Sequence, residues 1–318
     1  MPDYGPMQVF GCSAGSDITD LVCKHLSTPR GKAVVGRFKD GEPRIQIQDN
    51  VRGADVFLVN PTRSPRDWIE LMLFGSALRD ASAQRVTMIV PYLGHNRQER
   101  KTESREPYAA QDMIEVLKIA RPNRVVLLDL HAPATAAAFR PTIPDHLYAA
   151  PVLIPVLRDM FNGSDFVVAS PDAGGVARAR KYAEMLRVSD LVVFHKHRLE
   201  AGKVSDEILM VGNVKGRDVL IVDDMIDSGG TLVAVSKMAK EAGARRIVAA
   251  AAHGLFSDGA ISRLKRSPID LTVVTDSVGV SYKAETENHI QVVSVSQLLA
   301  NAIRRLHDGL SLSTLFFE

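Results

Sequence analysis

Residues 219–232 read VLIVDDMIDSGGTL. Four consecutive apolar residues, Val219–Val222, predict a strand buried on both faces, because a sheet covered by helices on each side shows no polar alternation. That strand delivers Asp223 and Asp224 to its C-terminal end. Asp227, Ser228, Gly229, Gly230 and Thr231 follow, and a helical pattern then begins. In open α/β sheets, ligands bind just beyond the strand C-termini. The glycines let the backbone come close to a ligand and point its N–H groups inward. Ser228, Thr231 and the helix N-terminus add donors, which together make a phosphate cradle. Carboxylates are poor partners for phosphate, so Asp223 and Asp224 fit either sugar hydroxyls or magnesium. A lone DDxxD would be no more than an acidic strand end before an N-capped helix. The whole strand–loop–helix arrangement points to a binding site.

The same grammar recurs on both sides of this stretch. DVFLVN (55–60), RVTMIVPY (85–92), NRVVLLDLH (123–131), DFVVAS (165–170), DLVVFH (190–195), RRIVAAAAH (245–253) and DLTVVTD (270–276) are near-continuous apolar runs. Helical patterns lie between them at 66–81, 109–120, 175–186 and 231–244. The alternation predicts an α/β protein with mostly parallel sheets flanked by helices. The segment 33–49 reads instead as a β-hairpin turning at KDGEP. With 318 residues the chain is expected to hold about two domains of roughly 150 residues each. PTIPDHLYAAP (141–151) is Pro-rich, which places the boundary at about 148 and gives domains 1–148 and 149–318.

Composition narrows the function classes. Net charge is +2, from 39 basic and 37 acidic residues, which is no footprint for nonspecific nucleic-acid binding. Cys12 and Cys23 are the only cysteines, so neither a disulfide framework nor a cysteine zinc site is expected. A reducing cytoplasm is the simplest compartment. No stretch approaches the ~18 uninterrupted apolar residues of a membrane span, so no membrane partner is expected.

VLIVDDMIDSGGTL resembles the phosphoribosyl pyrophosphate loop shared by type I phosphoribosyltransferases and ribose-phosphate pyrophosphokinases. Other motifs separate those families. SPDAGGVARAR (170–180) is similar to the pyrophosphokinase loop that holds the transferred pyrophosphoryl group and a magnesium site, which assigns Asp172, Ala173, Gly174 and Gly175 to that role. DLHA (129–132) resembles the stretch whose histidine, here His131, serves magnesium at the nucleotide phosphates, directly or through water. RQERK (97–101) is similar to the family's RQDRK, in which the Arg–Gln pair, here Arg97 and Gln98, contacts ATP. FKDGE (38–42) resembles the hairpin that holds the adenine of ATP bound mainly to a neighbouring subunit, which implicates Phe38, Asp40, Gly41 and Glu42 and implies an oligomer. In HKHRLEAGK (195–203), Lys196 and Arg198 match a catalytic K-x-R, with Lys203 the next cation.

The resemblance runs from about residue 7 to the C-terminus. It implies two type I phosphoribosyltransferase-like domains and a magnesium-dependent enzyme that moves the β,γ-diphosphoryl group of ATP to ribose 5-phosphate. Lys196 and Arg198 would stabilise phosphate charge. Asp223, Asp224 and Asp227 to Thr231, with Arg198, would hold ribose 5-phosphate. Two alternatives remain at this point: a non-catalytic regulatory homologue, and a phosphoribosyltransferase that consumes the product. PATAAAF (133–139) and the residues after Arg198 depart from the family's usual pattern. So does ALRDASAQ (77–84), where Asp80 stands at the place of a basic residue in the family's phosphate site, which implies weak or absent activation by phosphate.

Overall fold

The computed structural model describes residues 4–197, 207–279 and 287–316. The chain forms two compact units. The first takes the residues up to Pro151, Ser277–Gly279 and the residues from Ser294 onward. The second is built between Val152 and Val293. The division falls three residues after the boundary expected at 148. The larger difference is that the C-terminal segment packs with the first unit.

In the first unit the order is β1 (Met7–Gly11), α1 (Ser16–Leu26), β2 (Ala33–Arg37), β3 (Pro43–Ile47), β4 (Asp55–Val59), α2 (Pro65–Asp80), β5 (Arg85–Val90), α3 (Ala109–Lys118), β6 (Arg124–Leu128) and β7 (Ile143–Leu147). Strands β1, β4, β5, β6 and β7 pair in the order β1-β4-β5-β6-β7, all parallel. β2 and β3 form the antiparallel hairpin read from the sequence. Its inward residues Val35 and Ile45 pack on the unit's core, and its turn is Phe38–Glu42, with Pro43 already the first residue of β3. The Pro-rich stretch taken as a linker contains β7. Pro144 is tolerated there because β7 is an edge strand and its missing N–H breaks no ladder.

Helix α4 (Ala150–Met160) leads into the second unit, which continues with β8 (Phe166–Ser170), α5 (Val176–Leu186), β9 (Leu191–His197), β10 (Glu207–Val211), β11 (Asp218–Ile226), α6 (Gly230–Glu241), β12 (Ile247–Gly254), α7 (Ala260–Lys265), β13 (Leu271–Thr275) and β14 (Ile290–Val293). The sheet order is β10-β9-β8-β11-β12-β13-β14, antiparallel only between β9 and β10. β11 is central. Val219, Leu220, Ile221 and Val222 are wholly buried, and burying each such side chain stabilises the fold by roughly 1.5–3 kcal/mol. The strand runs on to Ile226, because β12 is long enough to pair with Met225 and Ile226. The two aspartates therefore lie within the strand, followed by two more paired residues.

The last helix, α8 (Ser296–His307), has its own apolar stripe, including Leu298, Leu299, Ile303 and Leu306, and packs on α1. A polar clamp fixes its end. His307 Nδ1 lies 2.8 Å from Asp55 Oδ2, Arg85 grips the same carboxylate through Nε at 2.7 Å and Nη2 at 2.5 Å, and Arg85 Nη2 also donates to the Leu306 carbonyl at 3.0 Å. Asp55 is fully buried, so this pairing is what makes its charge tolerable. Among the described residues, no helix is long and apolar enough to cross a membrane.

Candidate active site

In the second unit the decisive loop is a left-handed turn set against a helix start. Gly229 has φ +74° and caps α6, where an L side chain would be strained. Asp227 is held by the Ser257 hydroxyl, and the Ser228 carbonyl accepts from Arg263 Nη1. Arg263 also donates to the Asp258 carbonyl at 3.3 Å. The segment after β12 thus braces the loop from behind. The first N–H groups of α6, at Gly230, Thr231 and Leu232, have no intrahelical acceptor by geometry, and Gly230 and Thr231 are exposed. This is the electrostatic ground for an anion there.

Asp223 and Asp224 stand just upstream, Asp224 buried and Asp223 nearly so. Arg178 of α5 reaches both, its Nη1 lying 3.3 Å from one oxygen of each. The Asp224 N–H donates to Asp223 Oδ1 at 2.9 Å. Burial first, then the hydrogen bond and charge of Asp224, push the Asp223 carboxyl up to about 8, while Arg178 pulls it down. Two adjacent carboxylates in a dry site cannot both ionise freely, so near neutral pH the pair shares a proton.

The other loop of this unit follows β8. Asp172, Ala173 and Gly174 are exposed and Gly175 is buried. Asp172 Oδ1 accepts the Gly175 N–H at 2.8 Å, and the Ser170 hydroxyl donates to the Asp172 carbonyl at 2.7 Å. Gly175 has no room for a side chain, since a Cβ there would lie 2.7 Å from Ser170 Oγ. Lys196 is the penultimate residue of β9, paired in register with Ile208 of β10. Arg198 and Lys203 lie outside the described residues.

In the first unit, Phe38, Asp40, Gly41 and Glu42 form the tip of the β2–β3 hairpin. The Phe38 N–H donates to the Glu42 carbonyl at 2.9 Å, the Glu42 N–H to Asp40 Oδ1 at 3.1 Å, and Gly41 takes φ +94°. The Phe38 ring is 53% exposed and has the Arg44 guanidinium 5.8 Å from its centroid. Arg97 and Gln98 sit in the exposed loop after β5, lining a cavity of about 350 Å³ with Arg100, Thr102, Glu106 and Pro107. There the N–H groups of Glu103 and Thr102 and the Thr102 hydroxyl hold the Glu106 carboxyl below its ordinary value. His131 is exposed beyond β6. Its neighbour Leu130 donates its N–H to His146 Nε2 at 2.9 Å, and Asp129 closes the strand end by accepting the Ala149 N–H at 2.5 Å. Asp129 is thus a structural residue of this turn.

The description "N-terminal domain of ribose phosphate pyrophosphokinase" belongs to the family model that matches residues 7–120, and "phosphoribosyl synthetase-associated domain" to the one that matches 199–317. A ribose-phosphate pyrophosphokinase of Haemophilus ducreyi is 39% identical, over 99% of this chain and 99% of its own. One from Chromobacterium violaceum is 40% identical, over 100% of this chain and 97% of its own. The chain belongs to the ribose-phosphate pyrophosphokinase family. The crystal structure of a phosphoribosylpyrophosphate synthetase from Mycobacterium smegmatis superimposes with a TM-score of 0.89 at 31% identity, covering 96% of this chain and 99% of that one. The fold expected from the sequence is therefore the family's fold.

Three residues of this family member escaped sequence reading: Arg178, Ser257 and Arg263. Arg178 did leave a signal. It precedes Tyr182 and Leu186 at steps of four on the buried face of α5, in a first turn with no acidic residue. A cation there opposes the helix dipole, so it needs carboxylates from elsewhere. Ser257 and Arg263 act on backbone and side chain about thirty residues away and left none.

Proposed function

We propose that the chain transfers the β,γ-diphosphoryl group of ATP to the 1-hydroxyl of ribose 5-phosphate, giving phosphoribosyl pyrophosphate and AMP. The observation that carries this reading is the braced Asp227–Thr231 loop beside the Asp223–Asp224 pair, in a chain aligned end to end with pyrophosphokinases. The loop N–H and hydroxyl donors take the 5-phosphate. Asp223 and Asp224 take the ribose hydroxyls. The anomeric oxygen attacks the β-phosphorus, the bond from that phosphorus to the α,β-bridging oxygen breaks, and AMP leaves. Such chemistry rests on alignment and charge neutralisation rather than on covalent help.

Arg97, Gln98 and the hairpin residues Phe38, Asp40, Gly41 and Glu42 take ATP. A half-exposed aromatic ring on a hairpin tip suits stacking on a base. In our reading the hairpin serves a neighbouring copy, so the working enzyme is a homo-oligomer. Lys196 and Arg198 stabilise charge on the transferred group. Asp172 offers magnesium an exposed carboxylate, the oxygen donor it prefers, and in the other unit the exposed His131 would serve a hydrated ion through water, since magnesium keeps several waters and substrate phosphate oxygens. The ion supplies charge neutralisation on the phosphates.

The test is direct. Purified protein with ATP, ribose 5-phosphate and magnesium should yield AMP and phosphoribosyl pyrophosphate in equal amounts. Lys196→Ala should lower turnover by about two to three orders of magnitude with an unchanged melting curve, the scale of a lost charge stabiliser. No product from the wild type at any phosphate concentration would favour the non-catalytic reading.

A further inference from the structure

Arg178 stands between two loops that the proposed reaction uses separately. Its helix, α5, begins directly after the Asp172–Gly175 loop, yet its guanidinium points to the carboxylates of β11. Nη1 is 3.3 Å from Asp223 Oδ1 and 3.3 Å from Asp224 Oδ1. All three side chains are largely withdrawn from solvent, with 23%, 20% and 5% of Arg178, Asp223 and Asp224 exposed. The guanidinium also lies against that loop: a Cβ at Gly175 would be in ordinary contact with Arg178 Nη1, at 3.6 Å, and it is Ser170 Oγ, at 2.7 Å, that leaves no room for one.

Such a placement is costly by itself. The cation sits in the first turn of its helix, where the helix dipole opposes it. It also gives up water. The two carboxylates repel each other at close range and are buried as well. Each of these penalties is offset only by the other partner, so the arrangement holds together as a unit. A ribose offers its hydroxyls as donors, and two correctly aimed carboxylate acceptors are what they require. Without the guanidinium in contact with both, nothing on the α5 side would fix the two carboxylates at once, and either could turn away from the ribose hydroxyls.

We propose, resting on the function assigned above, that Arg178 is a positioning residue for ribose 5-phosphate: its guanidinium holds Asp223 and Asp224 together in the orientation that takes up the ribose hydroxyls. It touches neither the nucleotide nor the transferred group. A mere tie between α5 and β11 would act on stability alone. A positioning residue acts selectively on one substrate.

The experiment uses the full chain with Arg178→Gln and Arg178→Lys. Ribose 5-phosphate binding is read by calorimetry without nucleotide, and KM is read for each substrate separately. Loss of a charge-assisted contact predicts a Kd and a KM for ribose 5-phosphate raised about tenfold or more by Arg178→Gln. KM for ATP should stay within about twofold, and Arg178→Lys should recover part of the ribose 5-phosphate affinity. Equal rises in both KM values, or wild-type ribose 5-phosphate affinity in a folded Arg178→Gln, would overturn the proposal. Should Arg178→Gln fail to fold, the selectivity of Arg178→Lys decides by the same criterion. A wild type that neither binds nor converts ribose 5-phosphate would sink the functional reading itself. An active wild type matched by its variants would sink the Arg178 assignment alone.

Discussion

In the second unit, the residues assigned to ribose 5-phosphate hang from β11, whose Val219–Val222 stretch is wholly buried, and they are braced by Arg178, Ser257 and Arg263. In the first unit, the residues assigned to ATP lie on a hairpin tip and a loop. Phe38 is half exposed, and Arg97 and Gln98 are exposed. The difference is one of preorganisation. A site hung from core strands is held in its binding geometry before the ligand arrives, so part of the ordering cost is already met by folding. A site on exposed loops meets that cost on binding. Mutations should therefore couple stability to affinity in the second unit and separate them in the first.

Gly229→Ala tests the coupled side and should have the largest combined effect. At φ +74° the added Cβ meets the Leu264 side chain at 3.4 Å and Ala260 Cβ at 3.9 Å, both ordinary contacts, so the penalty is backbone strain. That strain costs about 1–2 kcal/mol. Relaxing it would turn the loop N–H groups away from the phosphate. We expect a lower melting temperature together with a KM for ribose 5-phosphate raised about tenfold, or about 1.4 kcal/mol. A variant that loses stability but binds ribose 5-phosphate normally would show that the loop is not preorganised by its backbone.

Asp223→Asn tests the same unit through pH. The carboxyl titrates at about 8 in the fold against an ordinary value of 3.8, chiefly through burial. The raised value means that its contribution to stability is complete below about pH 4 and is lost as pH rises through about 8. An amide does not titrate. The difference in unfolding free energy, variant minus wild type, should therefore grow in the variant's favour from pH 5 to pH 8.5. A gain on the order of 2 kcal/mol is expected, because the two coupled carboxyls share one proton and the shift does not belong to Asp223 alone. A difference that stays flat across this range would mean that Asp223 is ionised throughout.

What the sequence discloses follows the same divide. The central strands, the hairpin and the Asp223–Thr231 run are legible because each is a local pattern: a continuous apolar run, an alternating run, a glycine-rich turn. The partners of those residues are not local. Arg178 leaves only a misplaced charge, and Ser257 and Arg263 leave no mark, since contacts with Asp227 and the Ser228 carbonyl have no residue-type signature. β7 was hidden by Pro144, which reads as a breaker until its edge position is known. The apolar stripe of α8 announces a buried face but does not say what covers it. The choice of α1 in the first unit, locked by Asp55, Arg85 and His307, depends on residues more than 200 positions apart.

Phe38→Ala tests the uncoupled side, and its effect on stability should be the smallest. The ring is 53% exposed at a tip whose backbone is closed by its own hydrogen bonds, from the Phe38 N–H to Glu42 and from the Gly41 N–H to Phe38. None of those bonds involves the ring. Losing the distant Arg44 contact, at 5.8 Å, removes little. The change in unfolding free energy should stay within about 0.5 kcal/mol, as for surface positions generally. If the ring stacks on adenine, KM for ATP should rise several-fold, because a base–aromatic stack is worth about 1–3 kcal/mol. KM for ribose 5-phosphate should not move, which is the reverse of the pattern expected for Gly229→Ala and Arg178→Gln. A Phe38→Ala enzyme with unchanged KM for both substrates would remove the hairpin from the nucleotide site and leave the exposed loop at Arg97 and Gln98 as its remaining candidate in that unit.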